Sequence, residues 1–310
     1  MFGLEIEMAG IKRKDAARTV KKVLGTHKPV RKEQRDTYVF EDCLEREWKF
    51  EQDVSIRDTA SNQTELITPI LTLDDMPQFE KTIAALKRAG AFSSDMRSCG
   101  IHMHISGEGH NTRTLRNWAN IMKAHEEQLF RAFGVTEFRI ERYCKRTEDS
   151  FIERINQEKP KTLDKLADIW YETNVPSYQV ASVLTDRNYR YNVTRTHALN
   201  LHAFFTRYHT IELRYGQWTT ETSLDWTVLK SFILVNLAIN RMARLQKFVS
   251  PRRPQTVNDA AAFRDWLLKL GFIGDATKDV RRFLLRRFET VSAGNTASAG
   301  NTASAMVHVS

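Results

Sequence analysis

Residues 2–8 read FGLEIEM and residues 99–106 read CGIHMHIS. In both stretches apolar residues alternate with titratable ones: Glu5 and Glu7 in the first, His102 and His104 in the second. A period of two belongs to a β-strand, where residues i and i+2 share a face roughly 7 Å apart. Each stretch therefore predicts a short strand with one apolar face and one face of paired ligand-type groups. Two carboxylates and two imidazoles so arranged point to a metal or phosphate site on a sheet. The plainer account is an exposed edge strand for the acids and satisfied core or surface histidines for the second pair. On a central strand, two acids sharing a face are costly to bury without cations. Gly100, just ahead of the histidines, permits an unusual backbone or a close approach.

A third doublet stands in TIELRYG at 210–216, where Glu212 and Arg214 share a strand face. An acid that holds a cation, next to a guanidinium that stabilises phosphoryl charge, suits a metal-bound phosphate. The alternative is a cross-strand ion pair, worth little if exposed. Between these, WKFEQDVSI at 48–56 and NQTELITPIL at 62–71 contribute Asp53, Ser55 and Glu65. Glu65, in a strand-like run, is either a further ligand or a solvent-facing acid on an alternating strand. Together the predicted strands carry four acids, two histidines and an arginine. A carboxylate-rich set without thiolates favours hard cations such as Mg2+ or Mn2+, and hard cations beside an arginine favour phosphoryl chemistry.

Around these strands the pattern is mixed. Helices are expected at 13–24, 75–89, 112–133, 160–171 and 223–245, then near 258–270 and 276–289, with Asn111 or Thr112 capping the third. Further strands are expected at 37–41, 47–52, 63–70 and 199–205, the last turning at 207–209 into the strand at 210–215. In the strand at 47–52, Trp48 and Phe50 share a face. The polar stretch 140–195 has no readable period beyond its one helix. No regular βαβ rhythm occurs, and neither G-x-G-x-x-G nor G-x-x-x-x-G-K-[ST] is present, so a Rossmann fold and a P-loop NTPase are unsupported. The expectation is an α+β fold, a mainly antiparallel sheet with helices on one side. SAGNTA at 292–297 repeats at 298–303. This small, polar composition cannot bury a core, so residues 1–290 are expected to form the domain and 291–310 a disordered tail.

The 310 residues, 41 % hydrophobic, are enough for a sizeable core. Three dispersed cysteines argue for a reducing compartment rather than a disulfide framework or a thiolate zinc site. The start lacks the basic region of a signal peptide. The longest apolar run, 232–239, is interrupted by Asn236 and far too short for a membrane span. A soluble, cytoplasmic protein without a membrane partner is expected. The net charge of +9 is partly local: residues 12–35 hold ten Lys/Arg against two Asp/Glu. Such a patch can bind nucleic acid or another polyanion. The favoured account is the solvated face of an amphipathic helix, since no aromatic residues interleave with the charges.

The ordered set of motifs resembles the amidoligase family, whose members are related to glutamine synthetase and glutamate–cysteine ligase. The resemblance rests on FGLEIEM, the stretch at 48–71, CGIHMHIS, RYNVTRTHALNL at 190–201 and TIELRYGQWTTE at 210–221. It runs over roughly residues 2–247. It implies a glutamine-synthetase-like catalytic domain that binds ATP and Mg2+ (or Mn2+) and joins a carboxylate to an amine through an acyl phosphate. It implies that Glu5, Glu7, Glu65, His102 and Glu212 hold metal, and that Glu212 and Arg214 are catalytic. Arg214, Asn200, Arg190, Arg195, Asp53 and His104 are assigned to ATP or substrate. The resemblance also covers the basic helix at 13–24, which supports its structural account. Guanidino kinases share this broad architecture, so phosphotransfer to nitrogen is an alternative, and a non-catalytic polyanion-binding protein on a decayed enzyme fold is another. A metallohydrolase is disfavoured, because no HExxH is present and acids outnumber histidines.

Overall fold

A computed structural model describes residues 1–175, 181–253 and 258–298. The chain order is β1 (Phe2–Met8), α1 (Arg13–Leu24), β2 (Arg31–Lys32), β3 (Tyr38–Glu41), β4 (Glu47–Glu51), β5 (Thr64–Ile67), α2 (Met76–Arg88), β6 (Ile101–Ser106) and α3 (Thr112–Phe133). There follow α4 (Glu137–Tyr143), α5 (Asp149–Glu158), α6 (Leu163–Thr173), β7 (Leu199–Asn200), α7 (His202–Phe205), β8 (Thr210–Gly216), α8 (Trp226–Leu245), α9 (Asp259–Lys269) and α10 (Lys278–Ser298).

The eight strands form one open sheet in the order β2-β3-β4-β5-β1-β6-β8-β7. Every pairing between these strands is antiparallel. The expected mixture of helices with a mainly antiparallel sheet is thus observed. β1 and β6 lie at its centre, so the two opening doublets are not on edge strands. Their apolar alternates, Leu4, Ile6 and Met8 with Ile101, Met103 and Ile105, are buried at 2 % exposure or less. Trp48, Phe50, Leu66, Ile211, Leu213 and Tyr215 continue this layer along the neighbouring strands. The period of two divides the sheet, sending apolar side chains to the helices and polar ones to the opposite face.

α1 packs against α2, β3 and β4; α3 packs against α8, α10 and α5. Asn111 caps α3, its side chain accepting from the Thr114 N–H at 3.1 Å, and Gly134 closes that helix at φ 68°. α1 buries Ala16, Ala17 and Val20, as its periodicity predicts, but also Arg13. Arg13 is not part of a solvated face. Its guanidinium bonds Asp36 and the carbonyls of Ala60 and Gln63.

Two short helices that the sequence did not suggest, α4 and α5, lie at and just inside the start of the polar stretch, and the one helix expected there, at 160–171, is α6. The strand expected at 199–205 is only Leu199–Asn200, because the chain coils into α7 before turning back to β8. α10 continues past residue 290 to Ser298, so part of the expected tail is helical, and residues 299–310 lie outside the described residues. No helix among the described residues is long and apolar enough to cross a membrane.

Candidate functional site

The polar face of the sheet gathers the ligand-type residues in one strip across β5, β1, β6 and β8. Antiparallel register sets Glu7 opposite Glu65, Glu5 opposite His102, and His104 opposite Glu212. Three overlapping groups result: Glu5, His104 and Glu212; Glu5, Glu65 and His102; Glu7, Asp53 and Glu65. In each group one ligand atom from every residue lies within 4.8 Å of the others. Glu5 and Glu65 each belong to two groups, so the strip is continuous. Asp53 enters from the loop after β4, where its Oδ1 accepts the Ser55 N–H at 2.7 Å. It lies with Glu7 and Glu65 in the third group.

The strip is rich in negative charge and poor in compensation at one end. Glu65 forms no hydrogen bond or ion pair among the described residues. Burial, then the charges of Glu5, Glu7, Asp53 and Glu51, push its carboxyl well above the usual range. Like charges held this close disfavour joint ionisation, and a cation between them reverses that. Glu7 is better anchored: its Oε2 accepts the Gly100 N–H at 2.6 Å.

At the other end the charges are matched. Burial acts to raise the Glu5 carboxyl, but His104 and His102 hold it well below its ordinary range. His102 Nδ1 stands 3.1 Å from Glu5 Oε2, and His104 Nε2 3.3 Å from Glu5 Oε1. His104 Nδ1 meets the Thr210 hydroxyl at 2.9 Å, which orients the ring. Burial opposes the charged form of His104, yet Glu212 and Glu5 raise it overall.

Glu212 is gripped on both oxygens. Arg214 Nη1 donates to Oε1, and Asn200 Nδ2 donates to Oε2 at 2.5 Å. Burial alone would raise the Glu212 carboxyl, but the Arg214 charge and His104 lower it. Arg214 Nε donates to the Tyr143 carbonyl at 3.2 Å, tying the guanidinium to the end of α4. The acid–arginine doublet is therefore an ion pair within one strand, buried at 5 % and 6 % exposure. It is not the exposed cross-strand bridge that was its alternative.

Arg195 sits close enough to sense the strip. Burial and then Arg214 lower its pKa, while Glu212 and Glu5 act against the fall. Arg190 makes no contact with the strip; its guanidinium lies 5.2 Å from the centroid of the Tyr191 ring. Glu51 was missed. It stands opposite Glu65 across β4 and β5, on the face left over once Trp48 and Phe50 take the other, so its alternation in EWKFE was a usable signal. Thr210 was missed too, having no chemical signature in sequence.

The donor set fits hard divalent cations: oxygen-rich, without thiolates, and with like-charged carboxylates around Glu65 whose crowding added positive charge would relieve. The residues that would hold them are Glu5, Glu7, Asp53, Glu65, His102, His104 and Glu212. Arg214 adds a fixed positive group at the β8 end.

No curated protein matches this sequence. The family model that describes the putative amidoligase enzyme matches residues 1–257, a span that includes every residue of the strip, and the chain belongs to that family.

Proposed function

We propose that this protein is an ATP-dependent carboxylate–amine ligase with a glutamine-synthetase-like catalytic domain. What carries the reading is the continuous strip of three overlapping carboxylate and imidazole groups ending in the Glu212–Arg214 pair. One group could hold a structural ion; three in a row, beside a buried guanidinium, suit a polyphosphate.

Divalent cations bound there would neutralise phosphate charge. The protein supplies the rest. Glu5, Glu7, Glu65 and Glu212 would hold the cations from a rigid sheet, joined by Asp53 from the loop after β4. His102 and His104 complete the donor set, and Thr210 orients His104. Arg214, held by Glu212 and the Tyr143 carbonyl, presents charge to the transferring phosphoryl group without reorganising. A substrate carboxylate oxygen attacks the γ-phosphorus of ATP, the bond to the bridging oxygen breaks, and ADP leaves. The acyl phosphate then takes an amine at its carbonyl carbon. Phosphate departs with the C–O electron pair, the nitrogen loses a proton to solvent, and an amide remains. Positioning and electrostatics account for this without any covalent role for the protein.

The test is an ADP-release screen with Mg2+ or Mn2+ across pools of carboxylates and amines, read by mass spectrometry. An amide product is expected, and it should vanish in Glu5→Gln and Glu212→Gln. A phosphorylated amine or guanidine as the only product would move the assignment to phosphotransfer. Undiminished turnover in both variants would remove the strip from the chemistry.

A further inference from the structure

Arg139, on α4, is 3 % exposed and forms no ion pair among the described residues. Its Nη2 donates only a long hydrogen bond, 3.4 Å, to the Arg214 carbonyl, and the guanidinium lies 5.7 Å from the centroid of the Tyr143 ring. Its Nε is sealed from solvent without a partner, and Nη1 makes no hydrogen bond. A buried guanidinium with no counter-charge is costly, and an apolar side chain would fill the same space without that cost.

The fold nevertheless makes room for it. A Cβ on Gly100 would lie 1.8 Å from Arg139 Nη2 and 2.6 Å from Cζ. Gly100 therefore serves close approach, and what approaches is this charge. The Gly100 N–H is the group that holds Glu7, so Arg139 stands beside the Glu7 end of the strip and against the backbone of Arg214. Nearby, Arg142 of α4 and Arg57 lie over the Phe138 ring, 4.7 Å and 5.2 Å from its centroid. Neither has an ion pair among the described residues. α4 also carries Glu137, which pairs with Arg146, and Glu141. Neither pairs with Arg139, Arg142 or Arg57 among the described residues, so guanidinium charge is in excess here where the strip has acids in excess.

We propose that Arg139 is an oxyanion-binding residue, its guanidinium receiving a phosphate or carboxylate group of a substrate that enters beside Glu7 and Arg214. The ligase reading supplies the two sources, nucleotide phosphate and acceptor carboxylate. The inference rests on that reading only for what the anion belongs to. Guanidinium suits both, through charge-assisted and bidentate hydrogen bonds.

The experiment uses the full chain and reads thermal stability and binding, not turnover. Wild type, Arg139→Met, Arg139→Lys and the exposed control Arg207→Ala are melted in anion-poor buffer. They are then titrated separately with inorganic phosphate, Mg2+–ADP and glutarate. Arg139→Met should melt no lower than wild type without anions, since it loses an unpaired buried charge, and its response to the recognised anion should be lost. Arg139→Lys should bind that anion roughly tenfold or more weakly, since the fork is gone. Arg207→Ala should respond as wild type does. Loss confined to phosphate and Mg2+–ADP assigns the nucleotide; loss confined to glutarate assigns the carboxylate.

A lower melting point together with an intact anion response in Arg139→Met would make the residue structural and overturn the proposal, as would a wild type that responds to none of the probes. Should Arg139→Met not fold, Arg139→Lys decides: unchanged affinity overturns, weakened affinity supports. The two readings fail separately. Anion binding through Arg139 without any ADP release would remove the ligase and leave this site. Ligase activity with an unchanged anion response in the variants would do the reverse.

Discussion

Glu7 and Glu65 stand directly opposite one another across the β1–β5 ladder, and Glu65 faces Glu51 on its other side. Like charges paired this way destabilise a sheet unless something lies between them. Burial and then these neighbours raise the Glu65 carboxyl. The folded state therefore binds its proton more tightly than the unfolded chain does. For a raised acid, this contribution favours folding most below the ordinary carboxylate range, and that advantage fades as pH climbs through the folded pKa.

The metal-free protein should accordingly be less stabilised by this group at neutral pH than at pH 4.5, the ordinary glutamate value. Mg2+ or Mn2+ should restore more stability at the higher pH. Glu65→Gln should melt a few degrees higher than wild type without metal, at about 2–4 °C per kcal/mol in a chain of this size. It should also lose most of the cation-induced rise. Calorimetry with and without cation at both pH values checks this. A variant that melts lower without metal and keeps the full cation response contradicts the placement.

Asn200 joins two elements through one amide. Its Nδ2 donates to Glu212 and its Oδ1 accepts the His202 N–H at 2.9 Å. Asn200→Ala leaves both partners buried and unmatched, a cost of about 1–3 kcal/mol. It also frees one oxygen of the acid that anchors Arg214. Chemical denaturation should show the loss, and ADP release should fall further than stability accounts for. Asn200→Asp should be worse, because it sets a second carboxylate against Glu212.

Much of this face was legible because strand alternation is a strong local signal. Glu5, Glu7, His102, His104, Glu212 and Arg214 share one face for the same reason that Leu4, Ile6, Ile101, Met103 and Leu213 share the other. The central position of β1 follows from sheet order, which no local pattern carries, and it is what excludes the edge-strand account. α4 and α5 were not legible. They are short, α4 is capped by a single side chain, Thr136 on the Arg139 N–H, and α5 begins without a side-chain cap. α7 broke an apolar stretch that read as strand, since LHAFF suits either state until its neighbours choose. Arg139 could not be found in sequence. Its distinction is a missing counter-charge, and only the packed structure shows that.

Glu126 gives a pH test away from the strip. It lies on α3, 3 % exposed, and accepts from both the Thr147 N–H and hydroxyl at 2.9 Å. Burial raises its carboxyl to about 7, against the pull of those hydrogen bonds. The native state therefore holds this proton at pH values where the unfolded chain has lost it. Stability from this group is complete below about pH 4.5 and is lost as pH rises to about 7, a change on the order of 3 kcal/mol. Glu126→Gln keeps one acceptor for Thr147 and does not titrate. The difference in unfolding free energy between variant and wild type should shift in the variant's favour between about pH 4.5 and about pH 7.5. A difference independent of pH means that Glu126 stays ionised.

Gly100 and Arg139 should be energetically coupled, because the space a Cβ would need at one is filled by the guanidinium of the other. Gly100→Ala should cost about 1–3 kcal/mol, the range for overpacking a tight interior. The displaced group is the end of a side chain, so much of the strain can pass into moving Arg139. In an Arg139→Ala background the obstruction is gone, and the same glycine substitution should cost far less. A double-mutant cycle by urea unfolding measures this as a coupling of roughly 1 kcal/mol or more, within the range for residues in contact. Displacement of the guanidinium should also weaken the anion response, even though Gly100 carries no charge. Additive costs with an unchanged anion response would show that the glycine is there for its backbone alone.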